Sequence, residues 1–277
     1  MIHKRPLVAV TAVAAAASLL LGGCQSNTGG TTQSGITLVT EGKLSVCTHL
    51  PYEPMEFKDE SGKVVGFEID IMDLLAKQMG VTVTVVEVEF AQITSGAVFA
   101  SKKCDIAAAG MTINDARRKA ISFSKPYFDV TQTVAVPINS TITKLEDLKG
   151  KKLAIETDST AAEWANKTAS TNGFETVVFD DAATTLNSLL SGRADASILD
   201  NVYVYRFVSA NATTTKIGFE IETGEVYGFG ASLDDNGKAI MAEADKLLDQ
   251  INSDGTYLSI YKKWVNPTAT SAGLPKS

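Results

Sequence analysis

Histidine is almost missing from this chain: its 277 residues hold two, His3 and His49. A metal centre built from several imidazoles is therefore excluded, and no residue pattern calls for a cofactor. The three cysteines, Cys24, Cys47 and Cys104, form no closely spaced pair of the zinc or redox type. Neither a Gly-x-x-x-x-Gly-Lys phosphate loop nor a Gly-x-Ser-x-Gly nucleophile elbow occurs. Catalysis would have to rest on His49, with no nucleophile marked for it, and Asp180-Asp181 is a pair any acidic chain contains. Beyond Leu21 no apolar run is long enough to span a bilayer. Basic runs are lacking too, which argues against nucleic acid or anionic headgroups as partners.

What is present begins at the N-terminus. His3, Lys4 and Arg5 precede an apolar run of 15 residues, Leu7 to Leu21, the length of a signal-peptide core. The run closes on Leu21-Gly22-Gly23-Cys24, which resembles the lipobox of bacterial lipoproteins. That resemblance implies cleavage after residue 23 and a lipid on Cys24, anchoring the exported protein to the outer face of the cytoplasmic membrane. An ordinary signal peptide with an incidental cysteine is the alternative. Cleavage removes two cations and no acid, leaving 23 basic against 32 acidic residues, a net charge of −9. The remaining 254 residues suit two domains or one large one. Cys47 lies late in one apparent strand and Cys104 at the start of another. In parallel neighbours the sulfurs would stand several residues apart at about 3.3 Å each, so two free, buried cysteines are expected, with the disulfide that export would permit as the alternative.

Residues 25–35 are Ser, Thr, Gly, Gln and Asn, a tether. Folded sequence is expected from Lys43, with a strand to Thr48 and an extended loop through Pro51 and Pro54. Phe67, Ile71, Leu74, Leu75 and Met79 recur at helical spacing, with Gly80 as the stop. A strand over 81–90 and a helix to about Lys102 follow. The stretch 104–128 then reads as a short buried strand ended by Gly110, and Thr112, Asn114 and Asp115 read as a helix start with Arg117 one turn on. A strand end, a glycine turn, free amides and a guanidinium suit a carboxylate. Taken alone, Arg117-Arg118-Lys119 reads first as a solvated helix face. A second alternating series runs from Val130 to Asp200, with Thr157-Asp158-Ser159-Thr160 as another strand-to-helix turn. Ser101-Lys102-Lys103-Cys104-Asp105 and Ser191-Gly192-Arg193-Ala194-Asp195 echo one another before small-residue strands. Strand 227–231 and helices over 238–251 and 257–264 complete the chain. The alternation argues for α/β architecture with mostly parallel sheets.

Several segments, in order, resemble the polar amino acid-binding branch (family 3) of the bacterial extracellular solute-binding proteins, which serve ABC importers. They are Tyr52-x-Pro54-x-Glu56-Phe57, Gly66-Phe67-Glu68-Ile69-Asp70, Ala109-Gly110-Met111-Thr112 through Arg117, Ile121-Ser122-Phe123-Ser124-x-Pro126-Tyr127, Gly192-Arg193-Ala194-Asp195-Ala196 before Asp200, and Asp254-Gly255-Thr256-Tyr257 before Trp264. The resemblance implies a two-lobed periplasmic-binding-protein fold of type II, with two crossover hinge strands. Lobe 1 would take 36–131 plus 227–267, lobe 2 would take 132–226, and 268–277 would be a loose tail. It also implies a monomer that binds one free amino acid in the cleft, hands it to permease subunits, and touches the membrane only through its lipid. Arg117 matches the α-carboxylate clamp, Gly110 and Thr112 the groups beside it, and Thr160 an amide donor from the other lobe. Asp200 matches the acceptor of the α-ammonium, and Tyr52 and Phe90 the aromatic pair around the side chain. Beside these roles stand plainer ones: Asp200 as a helix cap, Tyr52 and Phe90 as core.

Two positions depart from glutamine-binding relatives, His49 where an acid stands and Glu156 where a lysine stands. An ionised Glu156 only accepts hydrogen bonds, which favours a donor or cationic side chain: glutamine, asparagine, histidine, lysine or arginine. If Glu156 points to solvent, that preference has no basis. The same fold also serves dehydratases of the cyclohexadienyl type and ligand sensors, and for an enzyme only His49 and Glu156 are at hand as cleft acid or base.

Overall fold

The computed structural model describes Met1, Thr32 and residues 35–275. The apolar run, Cys24 and most of the tether lie outside the described residues. The chain opens with β1 (Lys43–Thr48), a hairpin of β2 (Phe57–Lys58) and β3 (Val64–Val65), and helix α1 (Phe67–Gln78). Then come β4 (Thr82–Glu87), α2 (Phe90–Thr94), α3 (Ala97–Ala100), β5 (Ile106–Ala107) and β6 (Ser122–Phe123). A long strand, β7 (Phe128–Pro137), leads into β8 (Lys152–Glu156), α4 (Thr160–Asn172), β9 (Glu175–Phe179), α5 (Ala182–Leu190), β10 (Ala196–Asp200) and α6 (Asn201–Ala210). The return is β11 (Thr215–Tyr227), β12 (Gly230–Ala231), α7 (Asp235–Ser253) and α8 (Thr256–Trp264).

Two five-stranded sheets result, ordered β4-β1-β5-β12-β6 and β9-β8-β10-β7-β11. Both share one pattern: three parallel strands, then a strand antiparallel to the third, then one antiparallel to that. The sequence echo has a structural use here. Asp105, just before β5, accepts the amides of Val39 and Ser45 at 2.7 and 2.8 Å, and its own amide donates to the Ser45 carbonyl. Asp195, just before β10, accepts the Lys152 amide at 2.8 Å and donates to the Lys152 carbonyl. Each aspartate thus fastens the start of a new strand to its parallel neighbour, a join that parallel sheets cannot make by a hairpin.

β7 and β11 are the two crossovers. They pair antiparallel from Phe128 opposite Tyr227 to Pro137 opposite Thr215, with register shifts at Ile217/Phe219 and Ile221/Glu225. Neither β11 before Tyr227 nor α6 is legible in the sequence: α6 is Val- and Tyr-rich, a composition that favours strand, and packing overrides it. The apolar faces of α1, α7 and α8 close over the first sheet around Phe67, which meets Tyr127, Phe128, Tyr257 and Tyr261 at ring distances of 5.5 to 6.5 Å. Gly66 is required where α1 begins, because a Cβ there would stand 2.1 Å from the Met55 carbonyl oxygen. Folded structure begins before Lys43, since Ile36 and Leu38 are buried in the core. At the other end Ala272 and Leu274 pack against the same core, and the Leu274 amide donates to Asn252.

Two expectations need correction. The helix foreseen after Thr112 is a single 3-10 turn, Arg117–Lys119, since Asn114 caps the Arg117 amide and the chain leaves at once for β6. Cys47 and Cys104 are not free but form a disulfide, Cα to Cα 5.7 Å. β1 and β5 are indeed parallel neighbours, with Cys47 opposite Ala107. The expectation fails because Cys104 precedes β5 and lies in a bend that folds back towards Cys47. The bridge closes a span of 57 residues, and its removal should lower stability by about 2–4 kcal/mol. Urea unfolding of wild type against the Cys47→Ala/Cys104→Ala double variant measures this; equal midpoints would contradict it.

Candidate ligand-binding site

Between the sheets lies a cavity walled by His49, Tyr52, Phe90, Ala109, Gly110, Thr112, Arg117, Glu156, Ser159, Thr160, Leu199 and Asp200. All nine residues singled out in the sequence for the cleft are on that wall. They arrive from strand ends: His49 and Tyr52 follow β1, Gly110 and Thr112 follow β5, Glu156 ends β8, and Asp200 ends β10. Open α/β sheets present their carboxyl ends in this way.

Gly110 makes the turn that starts the wall, at φ +52°. A Cβ there would stand 2.6 Å from the Tyr52 ring, so this position needs glycine for both backbone and space. Arg117, 6 % exposed, donates to the carbonyl of Thr112 and to that of Asp158 on the other side of the cavity, each at 2.9 Å. Its guanidinium lies 5.2 Å from the centre of the Phe90 ring. Burial lowers its pKa, and Asp200 and Glu225 oppose that shift. Tyr52 stacks on Tyr203 of α6, centres 4.7 Å apart and planes 7° apart. Phe90 therefore lies under the cation, and Tyr52 lies against an aromatic of α6, the helix that follows β10 of the second sheet.

Asp200 is the opposite pole. It precedes α6 but makes no side-chain cap to it. It accepts instead from Tyr227 at 2.5 Å, Gln132 at 2.6 Å and Tyr52 at 3.2 Å. Burial first, then Glu225, push its carboxyl up to about 6, although the bonds from Tyr227 and Gln132 and the charge of Arg117 pull it down. Gln132 also reaches Thr160 Oγ1 at 3.1 Å and Glu225 at 2.7 Å, which gathers one amide group and three acceptors at one point. Thr160 opens α4, whose N-cap is Ser159 accepting from the Ala162 amide. The helix thus brings first-turn amides, lacking helical acceptors, to the wall.

A third pole lies at the end of β8. Glu156 is 5 % exposed, and burial, then the charges of Asp200 and Asp181, push its carboxyl up to about 8. His49 is held by its Nδ1 to the Val88 carbonyl at 3.0 Å, and its Nε2 faces Glu156 at 3.7 Å without making a hydrogen bond. Glu156 does not point to solvent. One guanidinium and two buried carboxyls therefore share the cavity wall.

Sequence reading missed Tyr227, Gln132, Glu225 and Tyr203. Tyr227 and Gln132 were marked, in hindsight, by local signals. Gln132 is the one amide in the run Val130 to Val136, and Tyr227 heads an alternation of aromatic and glycine through Gly230. Tyr203 and Glu225 lie on α6 and β11, which were themselves unread.

The pattern of the bacterial extracellular solute-binding proteins, family 3, matches residues 44–267. The chain is 27% identical over 234 residues to the L-cystine-binding protein TcyJ of Escherichia coli K12, covering 83% of this chain and 85% of that one. It is 26% identical over 253 residues to the arginine-binding extracellular protein ArtP of Bacillus subtilis 168, covering 91% and 95%. Among solved structures it superposes on an ancestral arginine-binding protein bound to arginine with TM-score 0.75 and 37% identity, covering 81% and 98%. The chain belongs to family 3 of the bacterial extracellular solute-binding proteins, with their two-lobed type II fold.

Proposed function

We propose that this protein is the extracytoplasmic capture subunit of an ABC-type amino acid importer, and that its ligand is a basic amino acid of the arginine kind. The observation that carries the reading is the cavity's charge pattern. Arg117 is the partner for an α-carboxylate, Asp200 for an α-ammonium, and Glu156 with His49 for a cationic side chain. With both acids ionised the three poles sum to −1, matched by the +1 of an arginine zwitterion. A buried charge left unpaired costs several kcal/mol, so ligand and cavity each supply what the other lacks. Gly110 and Thr112 flank the carboxylate, Thr160 adds an amide, and Tyr52 and Phe90 line the aliphatic part.

The lobes follow the division 36–131 plus 227–267 against 132–226, with β7 and β11 as hinges. Arg117 comes from one and Asp200 from the other, so a bound ligand bridges them and favours the closed form by differential binding. Residues 1–23 direct export, a lipid on Cys24 tethers the monomer outside the cytoplasmic membrane, and the closed form meets the permease.

Calorimetry with L-arginine, L-glutamine and L-glutamate tests this. Arginine should bind one to one and be recovered unaltered. Meeting a guanidinium, Glu156 gives up its proton, so arginine binding at pH 7 should release most of a proton, read from buffers of different ionisation enthalpy. Affinity should rise with pH towards about 8 and then level off. A preference for glutamate, or no proton release, would overturn the basic-ligand reading, and a chemically changed product would replace capture by catalysis. Arg117→Ala should cost about 3 kcal/mol or more of affinity while circular dichroism stays native; an unchanged affinity would refute the carboxylate role.

A further inference from the structure

Under the Gly110 turn, outside the cavity, two glutamates are fully buried: Glu56 and Glu68, both 0 % exposed. Glu68 is on the first turn of α1 and turns inward, where helical spacing alone gives it no reason to be. Its Oε1 accepts the Gly110 amide at 3.0 Å and the Tyr127 hydroxyl. Its Oε2 and both oxygens of Glu56 have no other partner among the described residues. The two carboxyls stand close enough to shift each other's proton affinity.

No cation answers them. The groups that act on the pair are Tyr127 beside β7, Tyr52 after β1, Glu156 at the end of β8 and, through Tyr127, Tyr257 of α8; none is a lysine, arginine or histidine. Two facing carboxylates in an uncharged interior cannot both stay ionised, so the pair holds one proton between them. Burial pushes Glu56 well up, and the bond to Glu68 raises it further. Glu68 is raised by burial, but the bonds from Glu56, Tyr127 and the Gly110 amide pull it down. Glu56 is thus the acid and Glu68 the carboxylate.

The pair touches both backbone segments of the first-sheet wall. Glu56 pairs with Tyr52 through both its amide and its carbonyl, at 3.1 and 2.7 Å, and so closes the Tyr52 loop. Glu68 holds the Gly110 amide, and the Tyr52 ring fills the space where a Gly110 side chain would be. We propose that Glu68 is a positioning residue for ligand binding: it fixes the Gly110 peptide and, together with Glu56, locks the Tyr52 loop to it. Its importance for affinity rests on the amino acid-binding reading above; its hold on Gly110 does not.

Three variants of the full exported chain, titrated with L-arginine, separate the roles. Glu68→Ala leaves the Gly110 amide and Tyr127 hydroxyl without an acceptor and should weaken binding at least ten-fold. Glu68→Gln keeps an oxygen for both and an amide to donate to Glu56, and should restore most of that affinity. Glu56→Ala removes the group that faces Glu68 and should also weaken binding; wild-type affinity in a folded Glu56→Ala chain would overturn its share in the proposal. Wild-type affinity in a folded Glu68→Ala chain would overturn the proposal, as would Glu68→Gln binding as weakly as Glu68→Ala. Should Glu68→Ala fail to fold, the Gly110 amide proton decides by NMR. It should lie downfield in wild type and move upfield in Glu68→Gln, where a neutral oxygen replaces a carboxylate; no movement would refute the contact. If wild type binds no amino acid, the functional reading fails, and the Gly110 resonance still tests the pair.

Discussion

Asp200 is the group on which the site depends. A carboxyl at the end of a central strand, buried and without a cation in contact, is tolerable only if neighbouring donors or a proton neutralise it. Tyr52 and Tyr227 of the first sheet's side and Gln132 of the crossover supply those donors. Because the donors come from both sides of the cavity, Asp200 links the two sides directly. A ligand ammonium entering the same point would compete with these bonds and replace neutral donors by a charge.

Arg117 works in the opposite sense. It is charged under all ordinary conditions, so its burial must be offset by acceptors. Thr112 and Asp158 supply two carbonyls, one from each side of the cavity, and Phe90 covers a guanidinium face. Carbonyls are weaker partners than a carboxylate in a forked pair. The arrangement keeps the guanidinium in place. Glu156 sets the third corner, where burial and the charges of Asp200 and Asp181 push its carboxyl up to about 8.

Much of this was legible before any coordinates. The Ser101 and Ser191 echoes mark two halves of like build, and the structure shows why an aspartate recurs: each fastens a strand start to its neighbour. The nine cleft residues were legible as a set because their segments follow a familiar order, and each falls on the cavity wall. What was illegible had long-range causes. The Cys47–Cys104 bond depends on where β5 begins, two residues later than the sequence suggests. The helix after Thr112 is cut short because Ser122 and Phe123 are drawn at once into the sheet. Tyr203 and Glu225 sit on elements whose local composition misleads, and Glu68 occupies a helix position that looks solvated until Gly110 is seen above it.

The most direct measurement is a crystal structure of the protein grown with L-arginine. The ligand should lie between the sheets, its carboxylate on Arg117, its α-ammonium within hydrogen-bonding distance of Asp200, and its guanidinium towards Glu156 and His49. An amino acid bound in the reverse sense, or one that leaves Arg117 and Asp200 untouched, would contradict the division of charge between the two sides of the cavity.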